Sequence, residues 1–342
     1  MRNLGFFNKL VFFINSLFAF FLLIGYILPY FPPRLFPPAS VLTLIIPVLL
    51  AVNLGFVIYW LIQFKRQFLL SALLISFSFF NGKTLYRFGE EVLPSEVNKI
   101  ENQLNVLSYN VRVFRSETYD AVALTNGITQ LVADAKPDVI CFQEFSSHNA
   151  PDFKELPHKY LGSKAKKVNY GPAIFSKYKI INSGSLDFKS TFNNGIFVDI
   201  VKNADTLRVY NLHMQSLALT PKLDALEEEN TKSLVGRLGL AFKKQQEQTG
   251  LFLRHQAECT YKKIVTGDFN NTVYSYTYNK IRGDKKDAFE EKGTGFGRTF
   301  IFDIIPMRID FILADSEVQV RAFRNFDIDY SDHYPIQAVL NF

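Results

Sequence analysis

The chain of 342 residues carries a formal charge of +6 at pH 7, and residues 1–92 hold seven basic and two acidic side chains, so +5 of that charge lies in this first segment. The remainder is nearly neutral, which argues against broad nucleic-acid affinity built from many phosphate contacts and leaves only a local basic patch. Two cysteines, Cys141 and Cys259, exclude a disulfide framework or a zinc-type cysteine cluster.

Leu10 to Tyr30 and Val41 to Phe64 contain no charged residue. At about 1.5 Å rise per residue, each is long enough for a hydrocarbon core of about 30 Å, and two transmembrane helices are expected. A third uncharged run of sixteen residues lies between Arg66 and Lys83. As a helix it covers about 24 Å, so it spans only with local thinning and outward reach of its flanking cations; a re-entrant hairpin is the competing reading. The proline-rich loop from Phe31 to Pro38 separates the first two runs. The first run is too long for a cleavable signal peptide and is followed at once by another span. Arg2 and Lys9 precede the first run, Lys65 and Arg66 follow the second, and only Arg34 lies between, which places the N-terminus in the cytoplasm. Three spans put the rest of the chain on the extracytoplasmic side, and two keep it in the cytoplasm. The expected organisation is a multi-pass membrane anchor over residues 1–92, a linker over 93–102, and a catalytic domain over 103–342.

Beyond the linker, "LNVLSYN", "DVICFQE", "TLRVYNLH", "KKIVTGDFN" and "RIDFILA" are strand-like in length and composition. "TNGITQLVADAKP" predicts a helix stopped by Pro137, and Leu223 to Glu258 predicts two long helices around Thr249-Gly250. Such alternation describes a sheet-based α/β or α+β domain.

Each strand-like run ends on a residue able to do chemistry. Asn110 alone is an ordinary turn former. Glu144, flanked by Phe142 and Phe145, carries a desolvation cost that a cation would relieve. His213 alone reads as a hydrogen-bonded core histidine. Asp268 and Asn270 share one side if the chain stays extended. Asp310 lies within an apolar strand and needs a partner; His333 is the candidate, since a carboxylate fixes an imidazole's tautomer and stabilises its charged form. The bland alternative is an Asp-His pair that only holds the sheet.

Together, "SYNVR", "QE", "NLHMQS", "GDFN", "RIDFIL" and "SDHYP", in that order, resemble the motif set of the endonuclease/exonuclease/phosphatase superfamily, over about the last 240 residues and not the membrane segment. The resemblance implies an α+β fold, a four-layer α/β/β/α sandwich, and a metal-dependent phosphoesterase. It implies that Glu144, helped by Asn110 and Asp332, binds Mg²⁺ or Mn²⁺, and that Asp268 orients or deprotonates the attacking water. Asn270 would hold a phosphate oxygen, His333 with Asp310 would act as base or charge stabiliser, and His213 would bind phosphate or assist the leaving oxygen. Arg112, two residues after Asn110, matches the deoxyribonuclease-like pattern and is a candidate phosphate contact, though an exposed arginine without a role is a near rival.

The function expected is cleavage of phosphoester bonds, phosphodiesters foremost, by in-line attack of water. Alternatives are a phospholipase or sphingomyelinase-like activity, an inositol-phosphate phosphatase, or a catalytically inactive tethered binding module. The expected partners are the bilayer and a phosphate-ester substrate (nucleic acid, phospholipid or inositol phosphate), with no obligate protein partner. A Walker loop, a dinucleotide fingerprint and a G-x-S-x-G elbow are all lacking.

Overall fold

The computed structural model describes residues 4–80, 86–148, 150–162, 170–219, 230–302 and 305–342. The chain divides into two compact units, one of residues 1–85, 231–246 and 271–279, the other of 86–230, 247–270 and 280–342.

In the first unit, α1 (Phe6–Ile27) is followed by short 3₁₀ turns, then α2 (Ile46–Ile62) and α3 (Phe68–Phe80). Among the described residues α1 alone is long and apolar enough to cross a membrane; α2 joins it only if counted with the turn Pro37–Thr43, from which it bends by 54°. The bend follows from Pro47 in the first turn of α2, which fits a helix start but not its interior. The third uncharged run forms a helix of 13 residues, and its last two positions, 81 and 82, lie outside the described residues.

These helices are polar inside. Asn15 Nδ2 donates to Ser71 Oγ (2.6 Å), Ser71 Oγ to Asn53 Oδ1 (2.7 Å), and Trp60 Nε1 to Asn15 Oδ1 (2.9 Å), all buried. Large apolar side chains such as Phe6, Phe13, Ile62 and Leu73 face outward.

The expected break at Thr249-Gly250 does not occur: α5 (Thr231–Ala257) runs through it. A glycine inside a helix costs only about 1 kcal/mol, and the burial of Gln245, Gln248, Thr249 and Phe252 around that turn outweighs it. Residues 223–229 of the predicted pair lie outside the described residues.

The second unit holds two mixed six-stranded sheets. The first contains β1 (Gln103–Asn110), β2 (Val139–Ser146), β3 (His158–Leu161), β4 (Tyr170–Ser176), β13 (Gln319–Asn325) and β14 (Ile336–Asn341), in the order β13-β14-β1-β2-β4-β3. The second contains β5 (Ile180–Ser185), β6 (Gly195–Lys202), β7 (Asp205–His213), β8 (Lys262–Asp268), β9 (Lys286–Asp287) and β12 (Asp310–Ala314), in the order β5-β6-β7-β8-β12-β9. A ribbon of β10 (Phe300–Phe302) and β11 (Ile305–Met307) stands apart. The helix α4 (Ala121–Ala135) begins at Asp120, whose carboxylate accepts the Ala123 N–H at 2.8 Å. Its apolar stripe Leu124, Ile128 and Leu131 packs with Leu107, Tyr109, Ile140 and Phe142 on the outer face of the first sheet. The end of α5 covers the second sheet, where Phe252 meets Tyr210 edge-on at 5.1 Å.

Strand alternation sorts the inner faces. Leu104 and Val106, Val139 and Cys141, Leu207 and Val209, Ile264 and Ile312 form one core cluster between the sheets. Further along the same rows come Ser108, Gln143, Asn211 and Thr266, all buried, and then Asn110, His213 and Asp268 at the strand ends. Gln143 Nε2 donates to Asn211 Oδ1 (2.7 Å) across the sandwich, and Asn211 Nδ2 donates to the Phe142 and Ala173 carbonyls (2.7 and 3.0 Å). Asn211→Leu keeps the bulk and strands these buried groups; it should cost roughly 1–3 kcal/mol per unmet group. An unchanged thermal midpoint in calorimetry of the variant would refute this role.

Candidate active site

Register delivers the acids to one place. In the antiparallel pair of β12 and β8, Asp310 stands opposite Asp268; in the parallel pair of β7 and β8, His213 stands beside Asp268. Gly267 has φ +129, and a Cβ there would lie 1.9 Å from the Leu212 carbonyl oxygen, so only glycine lets β7 and β8 approach at this point.

Three site residues sit on left-handed backbone: Arg112 (φ 44), Glu144 (φ 50) and Asn270 (φ 49). Such conformations are held by their surroundings and concentrate where side chains must be aimed. Glu144 lies in a bulge of β2, where the pairing to β4 shifts register between Phe142 and Phe145; the bulge keeps both phenylalanines in the core and turns the carboxylate out of the alternation. Asp268 and Asn270 do share a side, but not through extended chain as the sequence suggested. A turn does it: Asp268 Oδ1 accepts the Asn270 N–H (2.7 Å) and Oδ2 accepts from Asn270 Nδ2 (3.1 Å).

Asp268 Oδ2 is the hub. Asn110 Nδ2 donates to it (3.1 Å), and the Nε2 atoms of His213 and His333 face it at 3.6 and 3.7 Å. His333 Nδ1 lies 2.9 Å from Asp310 Oδ2, and His213 Nε2 lies 3.8 Å from Glu144 Oε1. Asp332 sits at the rim, accepting from Ser331 Oγ (3.2 Å) and 3.6 Å from Arg112 Nε. Arg112 is half-buried and also reaches the exposed Glu117 at 3.4 Å.

The two imidazoles are driven apart. Burial, helped by the charge of His333, pushes His213 down to about 3, so it is neutral at physiological pH. Burial acts against charge on His333 as well, but the carboxylates of Asp310 and Asp268 and the Asp310 hydrogen bond outweigh it and lift His333 to about 10. Burial raises Asp268 to about 7 despite His333, and raises Glu144 from its ordinary value.

Asp268, Asp310 and His333 offer ligand atoms within 4.8 Å of one another. Asp310 Oδ1 is buried and has no hydrogen-bond partner among the described residues, a costly state that a water or cation relieves.

Several neighbours were not singled out from sequence. Asn193 Nδ2 lies 2.8 Å from His213 Nε2; Thr299 Oγ1 accepts the N–H groups of Ile309 and Asp310 (2.9 and 3.0 Å) and its carbonyl accepts from Tyr334 N (2.8 Å). Asn-Asn-Gly before β6 signals a turn, but nothing local points it at a histidine; Thr299 carries no signal at all.

Asp310→Asn removes the charge and the charge-assisted hydrogen bond that do most to raise His333, and leaves only Asp268 and Asp332 to oppose burial. The His333 imidazole should then be neutral at pH 8, as read by its ring nitrogen shifts in NMR. A ring that stays protonated there would disprove the assignment.

Residues 107–333 match the sequence profile described as Endonuclease/Exonuclease/phosphatase family, and residues 8–85 match one described as Domain of unknown function (DUF8431). Comparison with curated proteins gives no match. Among solved structures the chain is similar to humanized TDP2 of D. rerio, at 17% identity and TM-score 0.55, covering 70% of this chain and 100% of that one. It is similar to an endonuclease/exonuclease/phosphatase from Bacteroides vulgatus, at 17% and 0.54, covering 70% and 99%. It is similar also to the mannosyl-6-phosphatase Bt3783 of Bacteroides thetaiotaomicron VPI-5482, at 18% and 0.52, covering 70% and 100%. At these identities the likeness shows the fold, which is the α+β sandwich expected from the motifs. The profile match covers well over half of the chain, which therefore belongs to the endonuclease/exonuclease/phosphatase family and is a hydrolytic phosphoesterase.

Proposed function

We propose that the protein is a membrane-anchored, divalent-cation-dependent hydrolase that cleaves phosphoester bonds, phosphodiesters foremost, by in-line attack of water. The observation that carries this reading is the convergence of two imidazoles of opposite protonation and two amides on one carboxylate oxygen of Asp268.

The residues suit a hard cation, since carboxylates outnumber the cationic groups around Asp268 and one buried carboxylate oxygen lacks a partner among the described residues. His333 is a poor ligand, because its Nδ1 is engaged by Asp310 and a protonated ring has no lone pair to give. Glu144, Asn110 and Asp332 are therefore the better holders of Mg²⁺ or Mn²⁺. Bound there, the ion supplies charge neutralisation to the phosphate.

Asp268, once ionised, accepts the proton of the attacking water. The Asn270 amide holds a phosphoryl oxygen, and Arg112 offers a further contact at the rim. Imidazolium His333, fixed by Asp310, donates to the oxygen on which charge accumulates, and neutral His213 hydrogen-bonds the phosphate on the opposite side.

The test is hydrolysis of plasmid DNA, single-stranded DNA, RNA, sphingomyelin, phosphatidylinositol and inositol phosphates with Mg²⁺ or Mn²⁺. Activity should vanish with EDTA and fall about 10²–10⁴-fold in Asp268→Ala and in His333→Ala. Because ionised Asp268 and protonated His333 are the working forms, kcat/KM should rise as pH climbs through about 7, or lower where a cation favours the carboxylate, and fall as pH passes about 10. Full activity in EDTA or in Asp268→Ala would end this reading.

The apolar outer surface of α1 and the polar interior of its bundle support the anchor. Within that unit, the Arg34 N–H donates to Gln246 Oε1 (2.8 Å) and Asn279 Nδ2 donates to the Pro29 carbonyl (3.3 Å). Segments 231–246 and 271–279 thus meet the loop between α1 and α2, at the end away from Lys9, which favours three passes and an extracytoplasmic catalytic domain. A reporter fused after Asn102 should be active only outside the cytoplasm; activity confined to the cytoplasm overturns this topology.

A further inference from the structure

Tyr86, Phe88 and Phe296 form an exposed aromatic cluster, 38%, 76% and 47% accessible, with Tyr86 ring centroids 4.8 Å from Phe88 and 5.0 Å from Phe296. Water-facing rings of this size are disfavoured, and grouped aromatics mark a surface that meets something apolar.

The cluster is held rigidly. Arg87 and Gly295 exchange both backbone hydrogen bonds (2.8 and 2.9 Å), and Arg87 Nη2 donates to the Glu291 carbonyl (2.8 Å). Gly295 and Gly297 have φ +70 and +58, and a Cβ on Gly297 would lie 2.3 Å from the buried Phe289 ring. The rings are therefore presented on a fixed loop rather than on a mobile tip.

Two features say what they meet. Tyr86 follows the end of apolar α3 at Phe80 by six residues, which reach at most about 20 Å even when extended. Tyrosine and phenylalanine beside a membrane segment suit the boundary between headgroups and acyl chains. The same loop also leads directly into the site: Thr299, three residues after Phe296, binds the backbone of Asp310 and Tyr334, and the Phe300 ring lies 4.9 Å from that of His333.

We propose that Tyr86, Phe88 and Phe296 seat in the headgroup region of the bilayer and that the site draws on phosphoesters carried by membrane lipids. This rests on the anchored phosphoesterase reading and names its substrate source. Arg87, Lys292 and Arg298 are offset by Glu90, Glu91, Glu291 and Asp327, so the surface selects the interface rather than anionic lipid.

The experiment uses the full-length chain in phosphatidylcholine nanodiscs with phosphatidylglycerol or sphingomyelin as the lipid phosphodiester. Bis(p-nitrophenyl) phosphate is the soluble ester and a single-stranded oligonucleotide the competing polymer. With all three rings replaced (Tyr86→Ser, Phe88→Ser, Phe296→Ser), kcat/KM on the lipid should drop on the order of tenfold through lost orientation, while the soluble ester, which also reports folding, is unchanged. Phe88→Trp should add fluorescence that acyl-chain-brominated lipid quenches, over the Trp60 signal of the parent.

Absence of added quenching overturns the proposal, as does a wild-type chain that hydrolyses the soluble ester but neither lipid. A selective loss on the oligonucleotide overturns it in favour of a base-stacking platform. Wild-type protein inert to every phosphoester, or extracted from membranes by carbonate, would instead sink the anchored phosphoesterase reading beneath it.

Discussion

The amide pair Gln143 and Asn211 closes the sandwich just below the acids, and the site depends on it. Each sheet presents apolar side chains to the other along most of its length, a contact that fixes spacing but not register. A directional bond of 2.7 Å between the sheets does fix register. Asn211 also donates to Phe142 and Ala173 at the bulge that turns Glu144 outward, so one side chain ties the strand carrying His213 to the strand carrying Glu144. Such a layer is costly to bury and stabilises only when its members are satisfied, which makes it a strict device for alignment.

Above that layer, the electrostatics follow from burial acting on groups with different neighbours. Both histidines lie in the same dry region and both are pushed towards neutrality. His333 resists because Asp310 stands at hydrogen-bond distance; His213 has an amide, Asn193, at its Nε2 instead. The outcome is one imidazolium and one neutral ring facing a single oxygen, the separation of roles that acid–base chemistry at neutral pH needs.

The strand-like runs and their order were legible because alternation and β-branched composition act locally. The partnership of Asp310 with His333 was legible because an acid in an apolar strand has few affordable states. The bulge at Glu144, the turn at Asn270 and the continuous α5 were not, since each is a local preference overruled by packing: the phenylalanines beside Glu144 occupy one core, and the buried face around Gly250 holds the helix together. Asn193 and Thr299 escaped notice for a different reason. Their partners are remote in sequence, and a lone asparagine or threonine predicts a turn or cap equally well.

The two units share a polar interior but differ in what surrounds it. In the second, the polar tier sits within a packed apolar core and opens at the strand ends. In the first, Asn15, Asn53, Ser71 and Trp60 bond to one another at the centre of three helices whose outer surfaces carry exposed phenylalanine, leucine and isoleucine. In water that arrangement is doubly unfavourable, with apolar rings hydrated and amides desolvated. In lipid both terms change sign: the rings are solvated by acyl chains, and the amides have no better partner than each other. The distribution of side chains therefore supports the anchor more strongly than helix length does, because length alone is equally satisfied by the core helix of a protein that never meets a bilayer.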